Sequence, residues 1–344
     1  MAENDDSTPP TEVITPEEAA AECAESSQAV LMDEGRADAD PSGYIKYVHA
    51  VLCQVGLPRT KVDGLEFART HKGASLLVEA GKLWNGREWV QQPIPYGPKP
   101  RVMLADLFTY AVVNRTKVIP VEDNVTSYLA RLGWTKQGGA RGPLTVFRNQ
   151  ALALSACHLT LGINYGKHAH TINGKPIQSF AAWIDDRGGQ RSMWPAEIQL
   201  TSDFYDSLID HAVPLDARAL AALSGSALAL DVYTWLAYRL HQLERPMVLF
   251  WKPLREQFGQ EYADPKNFKQ QFLAAFKQVL AVYPEAKLSA PVTGGIRLVP
   301  APPPIRPTRV WFRRGLPPLR ENAGPHAPLW EAVIEAVKPP EDKD

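Results

Sequence analysis

The chain has 344 residues, 45% of them hydrophobic and 22% charged, enough apolar material for one large or two modest cores. It has no apolar run of about 18 residues and no basic-then-apolar leader, so neither a membrane span nor a secretory signal is expected, and the predicted location is the cytoplasm. Its three cysteines, Cys23, Cys53 and Cys157, form no CxxC pair or Cys/His cluster, which argues against a disulfide framework or a zinc site.

The formal charge of −1 hides an asymmetry. Residues 1–40 hold twelve acidic residues and one basic one, Arg36, leaving thirty-six basic against twenty-six acidic over 41–344, a net of +10. Residues 1–42, rich in Glu, Asp, Ala, Ser and Pro, are expected to be a disordered acidic tail; competition with a polyanion for the basic body is a second reading of them. The body itself points to a polyanionic partner.

In chain order, a short amphipathic helix is predicted from Tyr44 through Leu52. Apolar runs over 76–83 and 88–92 flank Asn85-Gly86, a strong hairpin signal. Pro93-Ile-Pro-Tyr-Gly-Pro-Lys-Pro100, with four prolines in eight residues, is predicted as a stiff connector and not helix. Apolar residues at 103, 104, 107, 108, 111 and 112 predict a helix over 101–113. A short helix over 125–132 follows. The glycine-rich 138–142 leads to Pro143, placed to open a helix that runs to Ala156. Strands are expected over 158–165 and 180–185, joined by a polar loop holding Asn173-Gly174. Three helices followed by a β-hairpin is the element order of a winged helix.

The order then repeats. A strand at 198–200 precedes a helix opening at Ser202. A helix spans 226–243, a strand 247–250, a short helix 252–258 and a longer one 265–283, stopped by Pro284. A hairpin across Thr293-Gly294-Gly295 closes the unit. The predicted fold class is therefore α+β, with two tandem winged-helix domains at 43–205 and 206–303. Residues 304–344 form a Pro/Arg-rich tail. There Arg306, Arg309, Arg313, Arg314 and Arg320, with Trp311-Phe312 between them, suit a phosphate backbone or a minor groove, or form only a charged linker.

In a helix-turn-helix relative the last helix before the hairpin enters the major groove. At about 100° per residue, the 265–283 helix places Phe268, Phe272, Phe276, Val279, Leu280 and Tyr283 on its buried side. The opposite side carries Asn267, Gln270, Gln271, Ala274, Lys277 and Gln278, with Lys266 beside them. Amides suit bidentate pairing with adenine, and Ala274 allows close approach. No acidic residue interrupts this face, as one would on an ordinary solvated helix. Lys269 falls near the core edge, where its stem can snorkel. The equivalent helix of the first domain presents Thr145, Asn149 and Ala153 opposite Leu144, Phe147, Ala151 and Leu154, flanked by Arg141 and Arg148. DNA contact and packing against another element are equally open for it.

Two enzyme-like signals are weak. His168-Ala-His170 has the form by which rolling-circle nucleases hold a metal, but there the pair lies on a strand; here a polar loop is predicted and no carboxylate cluster is evident. Gly162-Ile-Asn-Tyr-Gly-Lys167 is one residue short of a phosphate loop and lacks the following Ser or Thr. No cofactor, metal or catalytic residue is therefore expected.

A set of segments in collinear order over about 75–304 resembles the RepA family of plasmid replication initiators. These are Pro95-Tyr-Gly-Pro-Lys-Pro-Arg101, Gly138-Gly139-Ala-Arg-Gly142 with Arg148 and Gln150 after it, Pro214-Leu-Asp-Ala-Arg218, Ser226-Ala-Leu-Ala-Leu-Asp-Val-Tyr-Thr-Trp-Leu-Ala-Tyr-Arg239, Gln257-Phe-Gly-Gln-Glu-Tyr262, Phe268-Lys-Gln-Gln-Phe272 and Val282-Tyr-Pro-Glu-Ala286. The resemblance implies a non-enzymatic initiator that binds double-stranded direct repeats at a plasmid origin, helps open an adjacent A·T-rich region and recruits host initiation factors and the replicative helicase. It also implies a monomer–dimer equilibrium, with the second domain reading the major groove and the first taking part in dimer contacts. Lys-Gln-Gln after Phe268 is less basic than the family tends to be there. A winged-helix repressor that never opens DNA and a metal-dependent nicking nuclease are the alternatives.

Overall fold

A computed structural model describes residues 44–121, 128, 143–165, 168–174, 179–185, 192–286, 288–292 and 294–305. The predicted helix over 125–132, except Tyr128, the glycine-rich 138–142 with Arg141, and both tails lie outside these residues.

Among the described residues, strand β1, Ile45–His49, comes first, followed by a one-turn helix α1, Ala50–Gln54. The helix predicted from Tyr44 is therefore half strand. Its apolar residues serve an antiparallel ladder with β11, Ala212–Asp216, in the register Ile45↔Asp216 to His49↔Ala212. A pairing across that much sequence leaves no local signal. Strands β2, Glu66–His71, and β3, Ala74–Glu79, follow. The predicted Asn85-Gly86 hairpin is present as β4, Lys82–Trp84, and β5, Trp89–Gln91. Gly86 takes φ 89°, and Asn85 Oδ1 accepts from the Arg87 and Glu88 amides.

The proline-rich connector is shorter than predicted. Helix α2 runs Pro98–Asn114 and so includes Pro98 and Pro100. Their missing amides cost nothing in a first turn, where no intrahelical acceptor exists. Strand β6, Val118–Pro120, follows. Helix α3, Pro143–Ala156, has its predicted bounds.

Strand β7, His158–Tyr165, does not form a hairpin with the 180–185 segment. It pairs with β3 and with a strand absent from the sequence reading, β8, His168–Gly174. Sheet order is β2-β3-β7-β8. The second predicted partner is β9, Ser179–Asp185, which belongs to another sheet, β6-β10-β9, with β10, Ser192–Gln199. The first half therefore holds a four-stranded and a three-stranded sheet where a simple hairpin was expected. The error has a physical source: β8 is polar, and a strand without apolar alternation reads as loop.

The second half follows its predicted order more closely. Helices α4, Ser202–Asp210, and α5, Ala217–Ala222, flank β11. Helix α6, Ala227–Arg239, opens on Ser226, whose hydroxyl accepts from the Ala229 amide. Then come β12, Met247–Phe250, α7, Trp251–Phe258, α8, Pro265–Val282, β13, Leu288–Val292, and β14, Gly295–Leu298. The last three strands make the sheet β12-β14-β13. Gly295 lets β14 begin against β12, since a Cβ there would fall 2.2 Å from the Leu249 carbonyl oxygen.

Most of the buried apolar residues form one contiguous cluster from Val48 to Ala301, so both halves share a core. Helix α6 is its axle: Leu228 to Tyr233 and Trp235 to Ala237 are all buried. The Tyr233 hydroxyl accepts from the Asp216 amide at 3.0 Å.

Candidate nucleic-acid interface

Helix α8 starts where its sequence says it should. The Asp264 carboxylate accepts from the Lys266 and Asn267 amides, and Pro265 occupies the first turn, satisfying donors that a helix start leaves orphaned. Phe268, Phe272, Ala275, Phe276, Val279, Leu280 and Val282 are buried. The three phenylalanines follow one another, Phe268 and Phe272 tilted with ring centroids 5.6 Å apart and Phe272 and Phe276 stacked at 5.8 Å, and Trp251 of α7 meets Phe272 edge-on at 6.0 Å. The other side carries the residues placed there from the sequence, with one of them partly covered. Lys266, Asn267, Gln270, Gln271, Ala274 and Gln278 are exposed, and Lys277 is half-buried. No carboxylate occurs on this face. Lys269 is exposed but held, its ammonium 5.3 Å from the Trp251 ring centre, a cation–π contact that leaves a charge beside the face.

The turn from α7 into α8 is fixed from two directions. The Arg255 guanidinium donates to the Tyr262 and Ala263 carbonyls. From the other side Glu261 is gripped by Arg59 at 2.7 Å and Arg69 at 2.8 Å. Arg59 also reaches Asp231 at 3.0 Å, and Arg101 at the start of α2 binds both Asp231 oxygens, at 2.7 and 2.9 Å. Remaining guanidinium N–H groups donate to the carbonyls of Gly56, Leu57, Pro58, Gly97 and Phe258. Burial alone would raise the Asp231 carboxyl pKa, but Arg101 and Arg59 outweigh that and hold it below its ordinary value. Gly56 makes room for the cluster: a Cβ there would lie 2.6 Å from an Asp231 oxygen. Three arginines from the N-terminal half thus anchor α6 and the residue just ahead of α8.

Sequence reading missed this cluster because its members are scattered through the chain. One signal was available: Asp231 is the single charge within the apolar run 227–237, and a lone carboxylate on a helix buried on every side demands a cationic partner.

Helix α3 presents much less. Phe147, Gln150, Ala151, Ala153 and Leu154 are buried. Ala153, expected on the open face, is fully enclosed, because sheets and helices cover α3 on more than one side. Asn149 is exposed, and Thr145 and Arg148 are half-buried. Gln150 is a tether: its side-chain oxygen accepts from the Tyr96 amide at 2.8 Å, fastening the proline-rich connector to α3.

His168 and His170 lie on strand β8, opposite Tyr165 and Ile163, not in a loop. The loop placement therefore no longer counts against a metal role. Among the described residues no group of three or more His, Cys, Asp and Glu could hold a metal ion. The phosphate-loop-like segment has Gly162 to Tyr165 within β7. Cys53 and Cys157 are buried thiols, and burial raises the pKa of Cys157 to about 12. No helix among the described residues is long and apolar enough to cross a membrane.

Comparison with curated proteins gives no match. Two solved structures are similar at a low level, a crystal structure of RctB domains 2-3 and one of selenomethionine derivatives of RctB domains 2 and 3. The first has TM-score 0.43 and 12% identity, covering 67% of this chain and 82% of that one. The second has TM-score 0.42 and 10% identity, covering 67% and 86%. Residues 94–252 match the sequence model of the family described as plasmid encoded RepA protein. That segment holds Arg101, Gln150 and Asp231 and ends before α8. Over residues 94–252 this chain is similar to the plasmid-encoded RepA family.

Proposed function

We propose that this protein is a plasmid replication initiator that binds double-stranded direct repeats at the plasmid origin and acts by binding, not catalysis. The observation that carries the reading is the α8 face. An exposed row of amides with Lys266 and Lys277, free of carboxylates, is what base edges and phosphates require of a groove-reading helix. The elements around it support a winged helix over 206–303, with α8 as recognition helix and β13–β14 as wing, where Arg297 is exposed beside it. Residues 43–205 form a first unit without the simple wing expected of them, with Arg141, Thr145, Arg148 and Asn149 offering weaker backbone or dimer contacts. The protein works in the bacterial cytoplasm in monomer–dimer equilibrium. On the origin it opens the adjacent A·T-rich duplex and hands it to host initiation factors and the replicative helicase.

The test is nuclease protection of origin DNA followed by a strand-opening assay with permanganate. Protected direct repeats with reactive thymines beside them are expected. Protection without opening leaves a winged-helix repressor, and nicked supercoiled DNA in the presence of Mg²⁺ or Mn²⁺ makes the protein a nuclease.

A further inference from the structure

The β4–β5 hairpin has two unlike faces. Leu83 points inward, 7% exposed, and packs on Ala156 and Leu152 of α3. Gly81 at its base approaches so closely that a Cβ would fall 2.0 Å from the Ala156 carbonyl oxygen. Side chains alternate along a strand, so the outward face carries Lys82 and Trp84 on β4, opposite Gln91 and Trp89 on β5. Trp84 and Trp89 are 50% and 65% exposed, their ring centroids 5.6 Å apart and their planes tilted by 56°. Arg87 is exposed at the tip. Cross-strand pairing of the indoles steadies a two-stranded ribbon that would be marginal alone. It does not require that so much of both rings face solvent.

The position matters as much as the composition. At about 100° per residue, Thr145, Asn149, Leu152 and Ala156 form one stripe along α3. The hairpin packs Leu83 on the C-terminal end of that stripe, whose other end carries Thr145 and Asn149. We propose that the Trp84–Trp89 face of this hairpin binds single-stranded DNA, the indoles stacking on unpaired bases while Lys82 and Arg87 meet the phosphates. This rests on the DNA-binding reading above and deepens it. Charge favours nucleic acid: Lys82 and Gln91 share the strand face with the indoles, and with Arg87 the cations outnumber the one exposed carboxylate of the tip, Glu88, two to one. Ring geometry decides for a single strand: a duplex hides the faces of its bases, whereas an unpaired base offers a π-face to any exposed aromatic, whatever its sequence.

The experiment uses the full-length protein with a fluorescein-labelled oligothymidine, and in parallel an origin-repeat duplex, both read by anisotropy. The wild type is expected to bind both. Trp84→Ala/Trp89→Ala should weaken oligothymidine binding by at least about tenfold, as stacking on each base contributes substantially, and leave duplex affinity within about twofold. Trp84→Phe/Trp89→Phe keeps aromatic pairing in the hairpin and should recover most of the single-strand binding, which separates stacking from simple loss of the fold. No wild-type binding to oligothymidine overturns the proposal while leaving repeat binding intact. Equal loss on single strand and duplex also overturns it, because the hairpin is then a duplex contact. Failure of the wild type on the duplex alone breaks the repeat-binding reading and not this one.

Discussion

Helices α3 and α8 occupy equivalent places in the predicted order of the two halves, yet the structure treats them differently. Helix α8 buries one side in a ladder of phenylalanines and leaves the other open along its length. Helix α3 is enclosed on several sides: Ala153 is fully buried, Gln150 holds the connector, and the β4–β5 hairpin covers Leu152 and Ala156. An identical position in the element order is therefore not an identical surface. The matched family segment contains α3, with Arg101, Gln150 and Asp231, and stops before α8, so the open helix lies outside it.

The largest expected effect is on that scaffold. Asp231→Ala leaves Arg59 and Arg101 buried without their shared carboxylate, and removing one partner of a buried ion cluster typically costs about 3–5 kcal/mol. Chemical denaturation should show the loss, and DNA affinity should fall only as far as the folded fraction falls. A pure binding defect with unchanged stability would mean that the cluster contacts DNA.

Next is the pH response of the shared core. Burial, with His211 adding to it, lowers the pKa of His49 to about 3 from 6.5. The unfolded chain then binds a proton that the folded chain refuses, so stability is complete above about 6.5 and declines as pH falls toward 3, by about 1 kcal/mol per pH unit. His49→Asn can keep the cap that His49 Nδ1 provides to the Val51 amide and should flatten that decline. An unchanged slope in the variant would assign it to other groups.

Smaller effects separate the two helices. Gln270→Ala should cost about 1–3 kcal/mol of discrimination at one base pair, and Lys277→Ala should lower the salt slope by about one; repeat-binding titrations at several salt concentrations measure both. Asn149→Ala on α3 should cost less than Gln270→Ala. If the order reverses, the first half does the reading.

Much of this architecture was legible because its signals are local. The Asp264-Pro265 start, the phenylalanine stripe and the Gly294 turn specify α8 and its hairpin within a few residues. The β1–β11 ladder joins segments far apart in the chain with nothing local to mark it, and of the Arg59–Asp231–Glu261 cluster only Asp231, the lone charge in an apolar run, is marked locally. Strand β8 was read as loop because its polar residues do not alternate. The property that makes α8 legible, one apolar side and one polar side, also marks its open face in the sequence. The buried Ala153 shows that periodicity finds the side facing one neighbour but not a second neighbour on the other.

The most direct test places a short photocrosslinker at position 274 through Ala274→Cys, with the same label at Asn149→Cys for comparison, and maps adducts on origin DNA. Adducts on bases within the repeats from position 274, and weaker or backbone-only ones from 149, are predicted. Base adducts from 149 with none from 274 would contradict the assignment of α8 as the helix that reads DNA.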